Sequence, residues 1–201
     1  MVSSFPVALG ETAVDPRVAR SRAAILQATA ELLVEQGSAG VTIEGIAERS
    51  RVAKTTIYRH WKSRSQLVFD AFESLLQPVG AQQFGPGLRT QLLGILGQLS
   101  RGLTQSSWAP AVSALIEAGD RDPELRELVR EFLVVRMAHA REALRAAIAR
   151  GELRPDLDID VAIGMLAGPV FYRRLVSREP LSDTVVAEVV DQFLRAGAPT
   201  A

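Results

Sequence analysis

The chain of 201 residues contains no cysteine, which excludes disulfides, thiolate metal sites and cysteine nucleophiles. Its two histidines, His60 and His139, are too few and too far apart for a histidine-built zinc centre. Net charge is also missing: 23 basic groups balance 23 acidic ones, so no global field draws the chain to a polyanion. No apolar run approaches the roughly 18 residues needed to cross a bilayer. Met1 to Val14 lack the basic start and apolar centre of a secretory signal. These absences predict a cytoplasmic protein with no membrane partner. The chain also lacks a nucleophile–base set, a supported carboxylate pair and a glycine-rich phosphate loop. It therefore reads as neither an enzyme nor a cofactor carrier, with a small helical enzyme as the remote alternative.

What is present is local. From Arg49 to Arg64 there are six Lys or Arg and one His, with no carboxylate among them. The surrounding stretch, Thr42 to Trp61, reads as a short helix, a tight turn at Ser50 to Val52, and a second short helix. A basic helix-turn-helix of this size places one helix against a polyanion, usually double-stranded DNA. Val52, Ile57 and Trp61 are the apolar anchors. Lys54 and Tyr58, then Thr55 and Arg59, lie four apart and share the opposite face. Thr55 and Thr56 suit bases or a thymine methyl, and Lys54 and Arg59 suit guanine or phosphate. Tyr58, His60 and Lys62 fit phosphate, where they add affinity and salt dependence. Thr42 caps a helix whose N-terminus would meet a backbone phosphate.

Helix signals run the length of the chain. Asp15-Pro16 and Asp122-Pro123 each pair an N-cap with proline at the first helical position. Ser63 to Gln66 has the spacing of a capping box. Gly37 and Gly151 stand at helix ends, and Asp158 and Ser182 open the last two helices. The pattern predicts one unbroken helix from Pro123 to about Arg150, a rod of roughly 40 Å. Gly168-Pro169 should kink its helix. Without sustained two-residue alternation, strands are not supported. The expected fold is all-α with about nine helices. Residues 1–14 form a flexible N-terminus, 15–77 a helix-turn-helix domain and 88–201 a second helical domain. Pro78 to Gly87 is the breaker-rich boundary.

The region Arg22 to Leu67 resembles the TetR family of bacterial transcriptional regulators. The resemblance rests on Ile25-Leu26, Gly37, Val41-Thr42, Ile46-Ala47, Val52, Thr56 to Trp61, and Ser63-Arg64 before Leu67. Two departures stand out. Arg51 occupies a usual glycine position, where a positive φ would strain it and its charge would meet phosphate. Ala53, where serine is frequent, removes a helix cap. The resemblance implies a homodimer through the last two helices and an unidentified small-molecule ligand in the second domain. Gln98, Trp108 and Phe132 are candidate contacts, together with Met165, Phe171 and Tyr172. His139, seven residues after Phe132, should share its apolar stripe, either lining the same pocket or packed in the core. This set, mostly apolar, favours an uncharged or amphipathic compound. Apolar residues at 161–175 and 185–194 agree with a partner surface, with core packing inside one chain as the alternative. A dimer would read a palindromic operator and be released by ligand, as a repressor. An activator, or a regulator without ligand, remains open.

Overall fold

The computed structural model describes residues 15–76 and 85–199, and helix is its only regular structure among those residues. The N-terminus 1–14 and the greater part of the boundary segment at 78–87 lie outside the described residues. Four helices come first: α1 (Pro16–Gly40), α2 (Ile43–Ser50), α3 (Lys54–His60) and α4 (Arg64–Ser74). The second part holds α5 (Leu88–Gln105), α6 (Ala109–Arg121), α7 (Pro123–Arg136) and α8 (Ala138–Ala149). It closes with α9 (Ile159–Phe171), a π-helical turn (Tyr172–Ser177) and α10 (Asp183–Gly197).

The local signals act as the sequence predicts. The side chains of Asp15, Thr42, Ser63, Asp122, Asp158 and Ser182 each accept a backbone N–H one to three residues inside the following helix. Gly37, at φ 68°, interrupts α1 where the apolar pattern stops, a conformation that L-residues with a side chain resist. The Ser63 capping box forms by half. Ser63 Oγ accepts from Gln66 N at 3.1 Å, but Gln66 Nε2 turns forward to Asp70 Oδ1 at 2.6 Å.

The helices enclose two apolar cores. One gathers Ile25, Leu32, Leu33, Ile46, Ile57, Trp61, Leu67, Val68, Phe69 and Phe72 from α1–α4 and the residue after α3, together with Leu115 of α6 and Leu125 of α7. The first four helices therefore share their core with α6 and α7 rather than standing apart. The other packs α5, α8, α9 and α10 through residues such as Leu92, Leu144, Leu166, Val190 and Phe193. Trp108 and Val112, at the start of α6, touch both.

This division explains why the predicted 40 Å rod is broken. Met137 takes φ −89° and ψ 4°, ending α7 and starting α8 without proline or glycine. α7 lays Leu125, Leu128 and Phe132 into the first core, while α8 lays Ala143, Leu144 and Ala147 into the second. The break also overturns the stripe drawn from Phe132 to His139: Phe132 is half-buried, and His139 is exposed. Pro169 lies inside α9, and without an N–H it cannot donate to Met165. The irregularity appears just downstream, where Tyr172 N reaches Gly168 O and Pro169 O as the π turn begins.

Candidate nucleic-acid interface

α3 is seven residues long and is held from beneath. Ile57 and Trp61 are almost wholly buried. Trp61 Nε1 donates to Asp70 Oδ2 at 2.9 Å, and Arg22 both pairs with that carboxylate at 3.3 Å and stacks over the indole at 5.4 Å. Asp70 thus ties α1, α3 and α4 together, a role no local sequence pattern announced. A buried indole N–H without an acceptor would destabilise the domain by about 1–3 kcal/mol.

With the anchors inside, the rest of α3 faces outward. Tyr58 is 62% exposed, and Lys54, Thr55 and Arg59 are exposed beside it. Thr42, Arg51 and Lys62 are also exposed, while Thr56 and His60 are partly covered. Arg51 adopts φ 55° and ψ 30°, the left-handed conformation expected where glycine is usual. Ala53 leaves α3 without a side-chain cap. His60 differs from the phosphate reading: its Nε2 is buried without a hydrogen-bond partner, and its ring tilts against Trp61 at 5.5 Å. That nitrogen cannot reach a phosphate in this arrangement.

The cation cluster is smaller than its count suggests. Arg64 Nε donates to Val41 O at 2.6 Å and its Nη2 donates to Ser38 O, so it fastens the α1–α2 loop to α4. Arg49 pairs with Glu35 at 2.8 Å and Glu31 at 3.8 Å. Lys54 pairs with Glu44, a carboxylate in the first turn of α2 that sequence reasoning overlooked because it lies ten residues upstream. The Lys54 ammonium, as hydrogen-bond donor and as charge, holds the Glu44 carboxyl below the usual carboxylate range. Among the described residues, Arg51, Arg59 and Lys62 have no carboxylate partner.

This surface is wired to the second part of the chain. Ser63 Oγ donates to Glu124 at 2.7 Å, and Ser65 Oγ donates to Asp122 Oδ2, both at the start of α7. Beside these contacts runs a chain of edge-on rings: Phe69 to Phe132 at 5.8 Å, Phe132 to Phe72 at 5.9 Å, and Phe72 to Trp108 at 6.1 Å. The Ser65 hydrogen bond, against an opposing effect of burial, holds the Asp122 carboxyl below its ordinary range. A carboxyl more acidic folded than unfolded contributes stability at higher pH and loses it as pH falls through its folded value. Asp122→Ala removes both the α7 cap and the Ser65 acceptor. We expect it to lower stability by about 1–3 kcal/mol near neutral pH. Thermal melts from neutral to strongly acidic pH should show the gap from the parent protein narrowing toward the acid end.

The expected ligand contacts do not converge. Trp108 and Phe132 belong to the aromatic packing, Phe171 is half-buried against the second core, and Gln98 is half-buried on α5. Met165 and Tyr172 line an outward groove of about 480 Å³ between α9 and α10, with Val185, Val189 and Gln192 opposite.

A helix-turn-helix with an outward basic helix, tied to an all-helical second domain, defines a DNA-binding regulator of transcription. Residues 25–71 match the family described as bacterial regulatory proteins, tetR family, and residues 86–193 match a tetracyclin repressor-like C-terminal domain. The chain belongs to the TetR family. It is 35% identical over 177 residues to the uncharacterized HTH-type transcriptional regulator YdeS of Bacillus subtilis, covering 87% of this chain and 88% of that one. It is 31% identical over 174 residues to the DNA-binding transcriptional repressor TetR of Mycobacteroides abscessus, covering 86% of this chain and 90% of that one. Among solved structures, the TetR family regulator SCO0332 aligns with a TM-score of 0.63 at 33% identity, over 90% of this chain and all (100%) of that one. Members of this family are DNA-binding regulators rather than enzymes, and they act as dimers that bind small-molecule ligands. Among the described residues, no helix is long and apolar enough to cross a membrane.

Proposed function

We propose that this protein is a homodimeric repressor that reads a palindromic operator with α3 and is released from it by a small molecule. The observation that carries the reading is the exposed face of Lys54, Thr55, Tyr58 and Arg59 on a helix whose other side is locked by Ile57 and Trp61. Thr42 and Arg51 flank that face, with Lys62 beyond it. Thr55 and Thr56 would touch bases, and the basic residues would hold phosphate. Acting on chromosomal DNA puts the protein in the cytoplasm.

The partner surface is narrower than the apolar content of the last two helices suggests. Leu166, Val170, Val186, Val190 and Phe193 are spent inside the second core. Left facing out are Val161, Met165, Tyr172 and Val176, between 46% and 67% exposed, along one line of α9 and its π turn. Gly164 and Gly168 leave open space beside them. A twofold axis through this face would set the two α3 helices on successive major grooves, about 34–36 Å apart. Ligand would then favour a dimer shape whose spacing misses the half-sites, a shift between two populations. The path from the second domain to α3 would run through the Ser63 and Ser65 contacts and the four aromatic rings.

The relative named as a repressor supports the sign of regulation. The test is binding of the full chain to the DNA flanking its own coding region across a salt series. We expect two chains per site and a linear fall of log affinity with log salt, of slope near −0.9 per phosphate contact. Binding that ignores salt, or one chain per fragment, would refute the reading.

A further inference from the structure

We infer that the cleft between α6 and the π turn is an effector site for a small ligand bearing a carboxylate or phosphate group. The inference rests on the ligand-released reading above and names the chemistry of the ligand. The cleft measures about 520 Å³ and is lined by Arg173, Arg174 and Arg178 on one side and by Thr104, Pro110 and Ser113 on the other. In a chain of zero net charge, three guanidinium groups share this wall with a single carboxylate, Glu179, which is held by Arg173 at 2.9 Å.

Arg174 spends only its Nε, donating to Leu103 O at 2.7 Å, and no carboxylate pairs with it among the described residues. Its two terminal amino groups together form a fork that can grip an oxyanion in two places. Arg178 is exposed, likewise has no carboxylate partner, and sits at φ 56° and ψ 28°. A non-glycine residue held left-handed costs energy, and such positions gather at binding sites. The preceding turn is π-helical and leaves Ser177 Oγ buried without a partner. Opposite them, Pro110 and Ser113 of α6 and Thr104 of α5 form a wall without charge.

The location suits an effector. Pro110 follows Trp108 by two residues, and Trp108 touches both cores and stands edge-on to Phe72 of α4. The same indole lies 2.9 Å from where a Cβ on Gly102 would stand, so it is wedged between α5 and α4. An anion drawn in by the arginines bears on the first turn of α6, directly beside this wedge. Where the apolar candidates favour an uncharged or amphipathic compound, this proposal takes one that bears an anionic group.

The experiment titrates the intact dimer by calorimetry with phenyl phosphate, with benzoate, and with benzamide as the uncharged control. We expect one or both anions to bind once per chain at millimolar concentration, and which of them does so identifies the phosphate or carboxylate source. Arg178→Gly, which suits the left-handed backbone, and Arg174→Gln should each weaken that binding about 10-fold. Benzamide should bind at least about 10-fold more weakly than the better anion. Failure of both anions at about 10 mM, affinity in Arg178→Gly within about twofold of the parent, or benzamide binding as well as the anions would overturn the site. Salt-dependent DNA binding by unliganded Arg178→Gly should match the parent. A loss there would strike the operator reading instead, so the two failures are distinguishable.

Discussion

A Val161→Asp/Met165→Asp protein should sediment as a single folded chain at micromolar concentration and lose about 100-fold or more in affinity for a two-half-site DNA fragment. Both side chains lie on the outer line of α9, 59% and 46% exposed, and neither belongs to either core. The folded monomer therefore keeps its own apolar burial, and its melting temperature should fall only by what dimerisation contributes and cease to depend on protein concentration. In the dimer, two carboxylates from each copy would meet across a face of valine, methionine and tyrosine, where unpaired charge loses its water. The DNA effect follows from linkage. With two α3 helices on one body, the second half-site is bound as an intramolecular event, and separation forfeits that effective concentration. Analytical ultracentrifugation with fluorescence anisotropy decides it. A dimer mass for the double variant would move the partner surface off α9.

The second large effect concerns the reading face. Tyr58→Ala and Lys54→Ala should each weaken operator binding by roughly 10- to 100-fold with the fold intact, because both positions are exposed and outside the cores. Lys54→Ala should be the more informative because of Glu44. Removing the ammonium leaves a carboxylate in the first turn of α2 facing the phosphates, so the loss exceeds that of one cation. Glu44→Gln alone should tighten binding to any DNA sequence several-fold while narrowing the preference for the operator, since a carboxylate resists phosphate but accepts from cytosine N4. The pair should be non-additive: Lys54→Ala/Glu44→Gln recovers part of what Lys54→Ala loses. Anisotropy on operator and scrambled fragments measures all four proteins. Strict additivity would show that the pair does not act as a unit on DNA.

The helix starts were legible because a cap is a conversation between residues two or three apart. Asp15, Thr42, Ser63, Asp122, Asp158 and Ser182 accept N–H groups of their own first turn, whatever lies beyond. The outward face of α3 was legible for the same reason, since Ile57 and Trp61 oppose Lys54, Tyr58 and Arg59 on so short a helix. The left-handed turn at Arg51 could also be expected from the place it holds. His60 shows where such reasoning stops, because its Nε2 is buried by neighbours that spacing along one helix does not reveal.

By itself, then, the amino-acid order determined the all-helical class, the caps, the breakers and the basic short helix, each a matter of contacts within a turn or two. Tertiary packing decided the rest. It broke the helix at Met137 because two cores compete for its halves, and it turned Val186, Val190 and Phe193 inward while leaving Val161 and Met165 out. It set Glu44 against Lys54, gave Arg64 to the α1–α2 loop, and gathered three arginines of the π turn against α6. These depend on which helix faces which, and a charge or apolar residue acquires its role only when a partner distant in sequence arrives beside it.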